Sequence, residues 1–115
     1  MFLTKPHEVE LMRHVWENTD EGVKSLAAWQ HLRSLADERV HRSRATVINF
    51  LNKMTRENFL VDNKKTGKGG EHSVYYPSPD FPCEEAYIRE MAMRMVKAAG
   101  DMLNVTFVPK QNPVN

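Results

Sequence analysis

The chain has one cysteine, Cys83, in 115 residues. That excludes an internal disulfide and a cysteine-cluster zinc site, and it suits a reducing compartment. No apolar run approaches the roughly 20 residues of a membrane span, and the first residues lack the apolar stretch of a secretory signal, so a cytoplasmic protein is expected. The chain also lacks a strong charge of either sign: 16 Lys and Arg against 15 Asp and Glu leave +1. A surface for nucleic acid must therefore be a local basic patch balanced by acid elsewhere. No internal repeat and no low-complexity segment is visible. A catalytic constellation is missing too. The carboxylates are spaced as on solvated helix faces, and His7, His14, His31, His41 and His72 are scattered. His7 and His14 could share a helix face, but no third ligand accompanies them. Cys83 follows Pro82 at a helix start, where its pKa could fall, yet no histidine lies nearby in sequence and an inert thiol is expected. These absences exclude a recognisable enzyme, and no cofactor or metal is expected.

What is present is one amphipathic stretch around which the rest is arranged, from Val40 to Arg56. Ser43 is a good N-cap, its hydroxyl able to accept a first-turn amide. Val47, Phe50, Leu51 and Met54 recur at i, i+3, i+4 and i+7 and make an apolar face. The opposite face carries Ala45, Asn49, Asn52 and Arg56, with Thr46 and Lys53 at its edge. Of these, Asn, Arg, Lys and Thr are side chains that pair with base edges and phosphates. Arg42 and Arg44 flank the N-terminus, where the helix dipole favours an anion. An ordinary solvated face is the alternative reading of this helix alone.

Its neighbours give it context. Thr4 to Asn18 reads as a first helix, capped by Thr4 with Pro6 in its first turn, with Val9, Met12 and Trp16 on one face widened by Leu11 and Val15. A turn-rich break follows, with a short extended piece at Gly22-Val23-Lys24. Ser25 opens a second helix to about Ala36, with Leu26, Trp29, Leu32 and Leu35 as its stripe, and Asp37-Glu38-Arg39 connects it to the next helix. Two amphipathic helices on a short polar link suggest a helix-turn-helix. Residues 59–64 and 72–76 read as strands around a basic, glycine-rich turn, a hairpin with a loop longer than two residues. Lys64, Lys65 and Lys68 sit at its tip, as in the wing of a winged helix; a plain surface hairpin with solubilising lysines is the alternative.

Pro77, Pro79 and Pro82 mark a boundary, which gives a winged-helix unit over 1–78 and a C-terminal helix and tail over 79–115. In that helix Tyr87, Ile88, Met91, Met95, Val96, Ala99, Met102 and Leu103 form a stripe too broad for one small domain, which points to packing against the same helix of a second chain. Folding back on its own domain is the alternative. Gly100 is expected to loosen the helix near its end. Residues 104–108 read as a short extended segment docked by Phe107, and 109–115 as a frayed tail. The expected fold class is α+β, mostly α: a winged helix-turn-helix domain with a C-terminal dimerisation helix.

Specific residues carry a resemblance. Glu8-Val9-Glu10-Leu11-Met12-Arg13-His14-Val15-Trp16 resembles the opening signature of the penicillinase-repressor (BlaI/MecI/CopY) family of transcription regulators, within the wider MarR-like winged-helix class. Ser43-Arg44-Ala45-Thr46-Val47, with Leu51, is similar to that family's recognition-helix pattern, and Tyr75-Tyr76 to the aromatic end of its wing. The similarity covers about residues 3–77. It implies a dimeric repressor on a palindromic operator, with Ser43 and Thr46 matching positions that face DNA. The wing departs from the family at Lys68-Gly69-Gly70. The paired-cysteine motif of copper-responsive members is absent, and the C-terminal region shows little specific likeness, so neither copper sensing nor protease-triggered release carries over. The expected partners are double-stranded DNA and a second copy of the chain. A winged-helix module whose basic face meets an acidic protein is the competing function.

Overall fold

The computed structural model describes residues 5–67 and 70–104, the side chains of 65–67 and 70–72 excepted. Among these residues seven α-helices and β-strands follow in order: α1 (Pro6–Glu17), β1 (Val23–Lys24), α2 (Ser25–Ser34), α3 (Arg44–Arg56), β2 (Leu60–Gly67), β3 (Gly70–Pro77) and α4 (Glu84–Leu103), with a 3₁₀ turn between α2 and α3. Three helices pack against a sheet of order β1-β3-β2, all antiparallel. This is a winged helix-turn-helix, mostly helical, as the patterning implies. The expectations at Thr4, Lys68 and residues 105–115 lie outside the described residues.

α1 starts from Lys5, whose main-chain N–H donates to Oε1 of Glu8 at 3.4 Å. Its inner face differs from the expected one. Glu8, Leu11, Met12 and Val15, at i, i+3, i+4 and i+7, are buried, whereas Val9 is 42% exposed. His7 goes inward, its ring edge-on to Phe50 at 6.4 Å, and that rotation turns Val9 out. Trp16 is partly buried against the core and stacks on Tyr87 at 5.7 Å. α2 is likewise rotated: Ala28 and Leu32 are fully buried, Trp29 and Leu35 partly, and Leu26 is exposed. The Trp29 indole N–H donates to the Arg42 carbonyl at 3.0 Å, which ties α2 to the entry of α3.

The link between these helices is more structured than a charged connection. A 3₁₀ turn over Glu38–Val40 buries Val40, and Asp37 caps it by accepting the Arg39 amide. α3 therefore begins at Arg44, and Ser43 is its N-cap, accepting the Thr46 amide at 3.2 Å. Val47, Phe50, Leu51 and Met54 are all buried, as the spacing requires. The helix ends at Arg56, and beyond it Asn58 is left-handed at φ 66° while the Phe59 amide closes back on the Met54 carbonyl at 2.9 Å.

The hairpin ladder runs from Leu60↔Pro77 to Gly67↔Gly70. Only two residues separate the paired glycines, so the expected longer loop is corrected: residues 65–67 belong to the strand. Gly22, at φ +74°, opens β1, and a Cβ there would lie 2.6 Å from Tyr76 and Val74 side-chain atoms, which only glycine avoids.

The proline-marked segment packs tightly. Ser78 is 1% exposed, its amide donating to the Phe59 carbonyl, and Phe81 stacks on Phe59 at 5.6 Å. α4 then adds Tyr87 and Met91 to the same core. The Arg94 guanidinium lies 4.3 Å from the Phe59 ring centre and donates to the Glu57 carbonyl at 2.8 Å. Gly100 does not break α4, which runs on to Leu103 and ends at Asn104, in the left-handed region at φ 55°.

Candidate nucleic-acid interface

With four apolar side chains of α3 held inside, helical geometry sends Ala45, Asn49, Asn52 and Arg56 outward. Ala45, Asn49 and Arg56 are exposed. Asn52 is half-buried at the edge nearest the wing, and its side-chain oxygen accepts the Tyr75 hydroxyl from β3 at 2.7 Å. Burial, then the charge of Asp62, raises the Tyr75 pKa, so this hydroxyl remains a donor at neutral pH. On the opposite edge, Thr46 and Lys53 face the start of α1 across a cleft of about 400 Å³. Ser43 and Thr46 are joined side chain to side chain at 3.0 Å in the cap.

The cations around this face differ in what holds them. Arg44 is exposed, its guanidinium 6.0 Å from the Trp29 ring centre. Arg42 is half-buried and donates through Nη1 to the carbonyls of Arg39 and His41, which rigidifies the turn before α3. Lys64 is exposed on β2; Lys65 lies on the same strand, with its side chain outside the described set. Arg44, Lys53 and Arg56 form no ion pair with a carboxylate among the described residues. Sequence reasoning missed Arg33, whose guanidinium covers Trp29 at 5.4 Å and so gathers beside Arg44. Its position four residues after Trp29 on one helix was the available signal. It also missed Lys5 and His7, which reach the edge of α3 only through the packing of α1.

The expected dimer face needs one correction. Tyr87 and Met91 are 4% and 2% exposed and are consumed by the protomer's own core. Ile88, Met95, Met102 and Leu103 are exposed at 46%, 44%, 86% and 66%; Ala99 is exposed and Val96 half-buried. Cys83 is exposed at the N-cap of α4. Among the described residues no group of three or more His, Cys, Asp or Glu could hold a metal, and no helix is long and apolar enough to cross a membrane.

The fold and this outward helix define the class, a winged helix, and solved structures share it. A possible transcriptional regulator from Methanosarcina mazei matches with a TM-score of 0.60 at 18% identity, over 89% of this chain and 74% of its own. The ferric uptake regulator of Francisella tularensis, solved with iron, matches at 0.54 and 12% identity, over 95% and 86%. A PadR-family transcriptional regulator from Eggerthella lenta matches at 0.50 and 15% identity, over 84% of each chain. At these identities the likeness is one of fold. No protein-family model and no curated protein matches the sequence.

Proposed function

We propose that this protein is a sequence-specific DNA-binding transcriptional regulator, a repressor of the penicillinase-repressor type, that binds a palindromic operator as a homodimer. One observation carries the reading: α3 is locked by its cap and its four buried side chains, yet its outward cations, Arg44, Lys53 and Arg56, are left without carboxylate partners among the described residues. A rigid helix with unneutralised charge and an exposed amide side chain fits a major groove lined by phosphates. In this reading Asn49 contacts a base, Arg44 a guanine or a phosphate, and Lys53 and Arg56 take phosphates. Arg42, Ser43, Ala45 and Thr46 lie against the backbone or base edges at the helix start. Lys64, Lys65 and Lys68 bring the wing to the backbone or minor groove. Residues 1–78 form the DNA-binding unit and 79–115 the dimerisation helix and tail, with two-fold symmetry setting half-sites roughly 34 Å apart.

The test is selection of bound fragments from genomic DNA, followed by mobility shifts at several salt concentrations. Asn49→Ala should cost about 1–3 kcal/mol on the selected site and little on random DNA. Arg56→Gln should weaken both alike and reduce the salt slope by roughly one. Equal losses on both DNAs for Asn49→Ala would remove the base-reading role. Absence of any salt-dependent band would leave the acidic-protein module as the better reading.

A further inference from the structure

The cleft between the start of α1 and the edge of α3 is not explained by the groove-facing surface alone. It is lined by Lys5, His7 and Glu8 from α1, by Arg42 from the preceding turn, and by Thr46, Asn49, Phe50 and Lys53 from α3. Three cations from three separate segments converge on it. The one carboxylate, Glu8, is 8% exposed and is engaged with the Lys5 amide. The Lys5 and Lys53 ammonium groups pair with no carboxylate among the described residues. His7 is 3% exposed, and its Nδ1 finds no hydrogen-bond partner among the described residues. A buried polar atom without a partner is costly, and the three cations converging beside it leave the cleft a positive field that an anion would offset.

We propose that this cleft seats a phosphate group, supplied by the DNA backbone flanking the groove that α3 enters. The proposal rests on the DNA-binding reading and extends its footprint to α1, through Lys5. The cleft adjoins Asn49 and Lys53, so a phosphate held there fixes the register of α3 in the groove. The electrostatics of the cleft agree. Burial first, then the charge of Arg42, depresses the His7 pKa below 6.5; Lys5 adds to this and Glu8 opposes it. A phosphate among the same groups reverses the sign of the local field. It therefore raises the His7 pKa, and by linkage it binds more tightly as pH falls through the His7 pKa of the complex.

The experiment follows the His7 ring by NMR across pH in the full chain, alone, with inorganic phosphate, and with a DNA duplex. Salt-dependent duplex binding of Lys5→Gln and Arg56→Gln runs alongside. The expected result is a rise in the His7 pKa with the duplex and a salt slope lowered by roughly 0.9 in Lys5→Gln, restored in Lys5→Arg. A rise with inorganic phosphate, together with an unchanged slope in Lys5→Gln, supports the same seat with a free phosphate as its occupant. No rise with either ligand overturns the proposal. If Arg56→Gln still lowers the slope in that case, DNA binding through α3 stands and only the cleft is lost.

Discussion

At the scale of single residues, the Tyr75–Asn52 contact limits what α3 could read in the proposed DNA-binding role. Helical spacing places Asn52 outward, and a free asparagine would pair with adenine through both its oxygen and its amide. The 2.7 Å bond from Tyr75 engages that oxygen and leaves the amide donors as the uncommitted part of the side chain. Asn49, which has no such partner among the described residues, keeps both functions. Tyr75→Phe should therefore broaden base preference at one position, leave the salt slope unchanged, and cost about 0.5–1.5 kcal/mol of stability. Competition binding with single-position variants of the site checks this, and a uniform loss across all positions would count against it. The histidines offer a second prediction. His14 of α1 and His31 of α2 stack at 3.9 Å, and His31 meets Glu10 at 3.0 Å. Burial, then His31, lowers the His14 pKa, and Glu17 and Glu10 oppose this. His7 is lowered too. A depressed histidine pKa means that the unfolded chain takes up the proton first. Stability from these groups is present above about pH 6.5 and falls as pH drops through the lower folded-state values. Thermal unfolding between pH 7.5 and 5 should show this loss, reduced in His14→Gln. Neither contact could be read from local pattern, since each joins residues 17 or more positions apart.

At the scale of elements, the hydrophobic period located every helix, and strand propensity located the hairpin, because those signals are local. The sequence also marked Ser43 as a cap, a role that needs only a hydroxyl three residues before a free amide. What escaped was rotation and termination. Apolar spacing alone points Val9 and Leu26 inward, because it counts apolar residues alike, whereas His7, edge-on to Phe50, and the small Ala28 hold the inward positions. The strands outran their expected ends, since pairing in the hairpin extends residues that propensity alone assigns to a turn. The proline segment misled most, because its chain break is also a packing layer. Phe59 sits at its centre, fully buried, touching Phe81, Tyr87 and Arg94. Phe59→Ala should cost about 3–5 kcal/mol. It should also loosen α4 from the domain before global unfolding, seen as faster amide exchange along α4 than along α3. Equal protection in the two helices would show that Tyr87 and Met91 alone hold α4.

At the scale of the whole molecule, α4 serves two surfaces. One side, through Tyr87 and Met91, closes the core; the adjoining side presents Ile88, Met95, Ala99 and Met102 at spacings of seven, four and three. A helix of 20 residues is about 30 Å long, and its final turn carries Met102 and Leu103 well into solvent. The charged residues pair elsewhere on the helix, as Glu85–Arg89, Glu90–Arg94 and Lys97–Asp101, so the exposed apolar stripe is uninterrupted. In the proposed dimer a second copy covers it, because a two-fold axis would bury the same stripe twice and fix the spacing of two α3 helices at once. Replacing Met95 and Met102 together by glutamate should therefore convert a dimer to a monomer in sedimentation while leaving the helical circular dichroism unchanged, because neither side chain belongs to the core. On DNA the variant should retain half-site binding and lose the steep concentration dependence on a two-half-site operator. A wild-type chain that sediments as a monomer at micromolar concentration would separate the two halves of the proposal. The outward face of α3 would still have its charge, but no symmetry would link one copy of it to the next, and the operator would be a single site.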